Sequence, residues 1–107
     1  MDICNEGIEE LKKAIVSHTS ADYLAVHRKL HKIDNYGKKY RASKVGDKTY
    51  YYDRDHFVEE LEEIMEFLYS KWFQELSGIN PNHLLDILDK IHDEWKAEYD
   101  RKVKEGG

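Results

Sequence analysis

The 107-residue chain contains one cysteine, one proline and six glycines, and no apolar run near the roughly 18 residues that a membrane-spanning helix needs. A single Cys4 excludes an internal disulfide, gives no reason to expect a zinc cluster, and fits a reducing, cytoplasmic setting. So little proline and glycine excludes a collagenous or linker-like chain. The opening MDICNEGIEE has no basic stretch followed by an apolar one, so no secretory signal is expected. What the chain does have is charge and rings: 36% charged, 40% hydrophobic and 12% aromatic. That balance predicts one soluble folded domain over residues 1–107, too short to divide into two full cores.

The net charge of −5 conceals a strong asymmetry. From Arg28 to Lys48 stand eight basic residues (Arg28, Lys29, Lys32, Lys38, Lys39, Arg41, Lys44 and Lys48) against Asp34 and Asp47. This segment carries +6 and leaves −11 on the rest, so a polyanion is attracted to one part of the surface and repelled by the other.

Helical spacing of Ile8, Leu11 and Ile15 predicts a short amphipathic helix over residues 3–17. Thr19 followed by Asp22 reads as a cap, opening a second helix over 20–34 with an apolar face of Tyr23, Val26, Leu30 and Ile33. Ala21, Ala25, Arg28, His31 and Lys32 share its other side. After Asn35, Tyr36 and Gly37 the period changes, and Tyr40 to Val45, Gly46-Asp47 and Lys48 to Tyr52 read as a hairpin. Asp53 or Asp55 then caps a third helix running to about Leu76, and Asn80-Pro81 starts a fourth that ends near Lys104. The third and fourth helices are expected to pack antiparallel across the Gly78–Asn80 turn. Their surplus apolar surface, at Phe67, Trp72, Phe73, Leu88, Ile91 and Trp95, is expected to form a homodimer interface.

A helix that enters the major groove needs a face free of bulky apolar side chains, with cations to reach bases and phosphates. The predicted second helix meets that need, and a hairpin with cations at its tip can touch the adjacent phosphates. On the words YLAVHRKLHKI and SKVGDKTYYYDRDHFVEEL, residues 8–62 resemble the winged helix-turn-helix proteins, in particular small bacterial regulators of the MerR-like and PadR-like kinds. The resemblance implies a mainly α fold with one β-hairpin, an α+β arrangement. In it residues 3–54 form helix-turn-helix and wing, and residues 55–104 the helical dimerisation part. It implies sequence-specific binding of double-stranded DNA by a transcriptional regulator or a plasmid or phage partition or replication factor. The expected DNA contacts are Ser20, His27, Arg28, His31 and Lys32 on the helix, Lys38 and Lys39 at the junction, and Arg41, Lys44 and Lys48 on the wing.

Other constellations weigh less. His27 and His31 have the i, i+4 spacing of a metal pair but no third ligand nearby, and His83, Asp86 and His92 are as well explained by a solvated face. The acids Glu59, Glu60, Glu62, Glu63 and Glu66, with Asp86, Asp89 and Asp93, resemble the carboxylate pairs of the MazG-like Mg²⁺-dependent nucleotide pyrophosphohydrolases. Glu60 and Glu63 would match the first pair, but the second pair here is Asp86 and Asp89 where that family has Glu then Asp, and much of the run falls opposite the apolar stripe, where solvent is expected. No catalytic set, cofactor or metal is therefore expected, and no membrane contact. The alternative function is a small phage- or plasmid-type helical inhibitor or adaptor that binds a host protein through the acidic helices.

Overall fold

The computed structural model describes residues 3–106, apart from the side chains of residues 3–6 and Ile8, so Cys4 and the first apolar position of the predicted N-terminal stripe lie outside the described side chains. The order of elements is α1 (Ile3–Tyr36), β1 (Tyr40–Val45), β2 (Lys48–Tyr52), α2 (Arg54–Leu68), α3 (Lys71–Ser77) and α4 (Pro81–Gly106). The chain is thus mainly helical, and among the described residues there is a single antiparallel hairpin and no helix long and apolar enough to cross a membrane.

The first correction concerns α1. The turn expected at Ser17–Thr19 is absent, and the two predicted N-terminal helices are one continuous helix of 34 residues, about 51 Å long. The reason lies in the apolar stripe. Val16, Tyr23, Val26, Leu30 and Ile33 fall on one helical face when Thr19 is counted among them, with alternating steps of three and four. Thr19 is itself buried, at 8% exposure, so it fills a stripe position instead of capping a new helix. With neither Gly nor Pro between Ser17 and Asp22, nothing in the backbone forces a break. The helix-turn-helix part of the resemblance loses its turn, while the order helix then hairpin remains.

The second correction concerns the predicted third helix. It divides at Tyr69–Ser70, where the Ser70 hydroxyl donates to the Phe67 carbonyl and accepts from the Phe73 amide, capping α3. An uninterrupted helix would have continued the stripe of Phe57, Leu61, Ile64 and Leu68 into Trp72. The break advances the phase by one residue, so Phe73 enters the core at 0% exposure and Trp72 is left outside at 56%.

Helix α1 is the spine. Asp34 on α1 pairs with Arg54 at the start of α2, and Phe57 packs with Val26 and Leu30, whereas Leu68 at the far end joins Tyr23. Hence α2 runs antiparallel to α1. Helix α4 runs parallel to it, since Tyr23 meets Asp89, His27 meets His92 and His31 meets Asp100. The expected antiparallel pairing of the last long helices with each other is replaced by packing of each on α1. The core accordingly has two clusters. Tyr23, Leu68, Phe73, Leu84, Leu85 and Leu88 form one, and Val26, Leu30 and Phe57 form the other, against which Tyr40 at the base of the hairpin packs.

Two starts were legible and are observed: Asp53 caps α2 by accepting from the His56 amide, and Asn80 accepts from the Asn82 amide ahead of Pro81. The phase change at Ser70 has a measurable consequence. In urea unfolding Phe73→Ala is expected to cost about 3–5 kcal/mol and Trp72→Ala under about 1 kcal/mol; the reverse order would show that α2 and α3 form one helix.

Candidate functional site

The hairpin and the two residues before it carry five exposed cations, Lys38, Lys39, Arg41, Lys44 and Lys48. Gly37, with φ of 64°, ends α1 by donating its amide to the Ile33 carbonyl, and the chain turns into β1 through Lys38 and Lys39. Gly46 takes φ of 60° while Asp47 keeps a negative φ, as the two-residue turn between twisted strands requires. The register pairs Tyr40 with Tyr52, Arg41 with Tyr51, Ser43 with Tyr50, Lys44 with Thr49 and Val45 with Lys48, with a bulge at Arg41–Ser43. Cross-strand partners share a face. One face therefore holds Tyr40, Ser43, Val45, Lys48, Tyr50 and Tyr52, and the other holds Arg41, Lys44, Thr49 and Tyr51.

The two faces differ in their surroundings. Tyr40 and Tyr52 rest edge-on against Phe57, and Tyr52 also stacks on His56 with ring centroids 4.0 Å apart, so the first face begins as part of the core. Beyond these rings it runs out of the body, leaving Val45 65% and Tyr50 50% exposed. The second face is solvated along its whole length. The Lys39 ammonium lies 5.7 Å over the Tyr51 ring on this side, a cation and π-face pair set beside Arg41 and Lys44.

The predicted recognition helix is placed differently. His27, Arg28, His31 and Lys32 are half-buried in the seam between α1 and α4. His92, Trp95 and Tyr99 stack along α4, with centroids 5.6 and 4.9 Å apart, and His27 lies 5.2 Å from His92. The Arg28 guanidinium sits 5.3 Å over Trp95 and the Lys32 ammonium 5.3 Å over Tyr99. His31 Nε2 is 2.8 Å from an Asp100 oxygen, and Nδ1 lies 3.0 Å from the Asn35 amide nitrogen, so Nε2 donates and Nδ1 accepts. Tyr36 donates to the same Asp100 carboxylate. These contacts withdraw His27, Arg28, His31 and Lys32 from a groove-facing surface. Ser20 is half-buried on the same helix and belongs to neither cluster.

The seam also uses residues expected in a dimer interface. Trp95 is taken by Arg28 and His31, Phe73 and Leu88 lie in the core of the single chain, and Phe67 packs against Trp72 and Phe73. Only Trp72 and Ile91 of that set are exposed. The signal that would have revealed the seam is a matched pair of stripes: Tyr23, His27 and His31 on α1, and His92, Trp95 and Tyr99 on α4.

A third feature is a groove of about 580 Å³ between α1 and α2. Its lining includes the apolar Ala25, Val26, Ile64 and Phe67 and the acids Asp22, Glu60 and Glu63, with Thr19 and Lys29. The two acid pairs of the enzyme alternative are not brought together. Glu60 is bound to His56 and borders this groove with Glu63, whereas Asp89 accepts from Tyr23 in the other seam and Asp86 is exposed on α4. Among the described residues no group of three or more His, Cys, Asp or Glu side chains is arranged to hold a metal ion.

No protein-family model, curated protein or solved structure matches this chain.

Electrostatics in the seam has a definite sign. Burial pushes the His27 imidazole below its usual value of 6.5, with Asp89 opposing. Burial also lowers His92, helped by the nearby His27, Lys96 and His31. The hydrogen bonds from Tyr36 and then His31 hold the Asp100 carboxyl below its usual value, and Tyr36 is pushed up to about 12 by the same bond. For His27 and His92 the unfolded chain takes up protons that the folded one resists, so stability is lost as pH falls below 6.5. Melting temperature is expected to drop between neutral pH and about pH 5, and His92→Phe is expected to flatten that drop. A slope unchanged by this substitution would place the titration elsewhere.

Proposed function

We propose that this protein binds double-stranded DNA and that the hairpin, not α1, is the element that enters the major groove. The observation that carries this reading is a two-stranded ribbon whose free face bears Arg41, Lys44, Thr49 and Tyr51 beside Lys39, on a chain otherwise dominated by acids. The major groove, about 12 Å wide, admits a two-stranded ribbon as well as a helix. Residues 38–48 carry five cations against Asp47 alone, which supplies the electrostatic part of binding. Thr49 and the Arg41 fork can reach base edges while Lys39 and Lys44 hold phosphates. The bulge at Arg41–Ser43 increases the local twist of the ribbon, which suits a helical groove. The acidic helices on the remaining surface keep the duplex on the hairpin side. A transcriptional regulator, or a partition or replication factor, is the class of protein that such a contact serves.

One observation favours a different reading, an adaptor for another protein: Trp72 stands 56% exposed beside Phe67, and tryptophan is enriched at the energetic centres of protein contacts. The two readings separate in one titration. Fluorescence anisotropy with random duplex DNA over a salt series is expected to show binding that weakens steeply with salt. Arg41→Ala and Lys44→Ala are each expected to reduce the salt slope by about 1, whereas Arg28→Ala leaves the slope unchanged and lowers stability through the lost contact with Trp95. Absence of binding at low salt refutes the DNA reading and favours the adaptor. A slope change on Arg28→Ala equal to that of the hairpin variants returns the contact to α1.

A further inference from the structure

We propose that the groove between α1 and α2 receives the outer half of the hairpin from a second copy of this chain, so that two copies pair reciprocally. The hairpin face that begins against Phe57 and His56 continues outward as Tyr50, Lys48 and Val45 with nothing beneath it. Val45 at 65% exposure is not seated on its own body, although a β-branched apolar side chain at a turn beside two lysines is well suited to insertion. The groove offers the complement. Ile64 and Phe67, half-buried in its lining, match Val45 and Tyr50, and the exposed Asp22 and Glu63 match Lys48, while Glu60 is held by His56. Lys29, the one cation at its border, has its ammonium 5.4 Å over the Phe57 ring and 5.9 Å over Tyr40, toward the hairpin base.

Charge decides the occupant. The hairpin tip carries Lys44 and Lys48 and the groove carries Asp22 and Glu63 at exposed positions, and the Val45 tip does not occupy the groove of its own chain, so the two surfaces are free to meet between copies. A two-fold pair makes the same contact twice, which doubles the apolar area covered without any new residue. The opposite hairpin face, with Arg41, Lys44, Thr49 and Tyr51, remains free in such a pair. Pairing therefore stands independently of DNA binding and is compatible with it.

Sedimentation velocity on the full chain without nucleic acid tests the pairing. The wild type is expected to sediment as two copies at tens of micromolar in low salt. Lys48→Glu is expected to raise the dissociation constant by roughly tenfold or more, and the same-chain double variant Lys48→Glu/Glu63→Lys to restore pairing. Circular dichroism on each variant confirms that helix content is retained. A wild-type monomer under these conditions overturns the proposal and leaves the groove to a basic segment of another protein. A dimer indifferent to Lys48→Glu overturns it equally and assigns pairing to another surface, with exposed Trp72 the first to test.

Discussion

Everything else in the molecule rests on the continuity of α1. In a folded protein most of a helix's stability comes from the faces it packs, and the 34-residue α1 is covered on two sides. Helix α2 covers the Val26 and Leu30 side, α4 covers the Tyr23, His27 and His31 side, and α3 closes the Tyr23 end through Phe73. Because both long helices lean on α1, the protein is elongated and thin, with extents of 56 × 37 × 22 Å. A thin body has little room for a hidden site, and its chemistry is displayed on surfaces and seams.

The same constraint sorts the cations. Those on α1 at Arg28 and Lys32 are drawn over the ring faces of Trp95 and Tyr99. Those after Gly37 leave the helix and enter a hairpin anchored only at its base by Tyr40 and Tyr52. An isolated two-stranded hairpin is marginally stable in water, so this anchoring on Phe57 is what lets it project. The basic charge between Arg28 and Lys48 is thus divided between α1 cations packed over rings and exposed cations on and just before the ribbon.

Much of this was readable in the sequence, and the misreadings share a cause. The hairpin, its Gly46-Asp47 turn, the Asp53 cap and the Asn80-Pro81 start were all legible because each depends on local chemistry. Thr19 misled because a threonine three residues ahead of an acid looks like a cap, while burial on a continuous stripe decides its place. Ser70 misled in the opposite sense, since a single serine in a strong apolar pattern gives little warning of a phase change that exchanges Trp72 for Phe73. The histidines and Arg28 read as DNA contacts in the sequence because their partners on α4 lie more than sixty residues away, as with His31 and Asp100, and no local pattern reports such a pairing. The charge asymmetry itself survives, but its exposed basic part is narrower: the ribbon and the two lysines before it.

Amide chemical-shift mapping by NMR with a short random duplex reads directly whether the hairpin is the element that meets DNA, as proposed. Shifts and broadening concentrated in residues 38–51, with the α1 residues from Ser20 to Lys32 unchanged, are the predicted result. Perturbations centred on α1 and α4, or none at low salt, would contradict it.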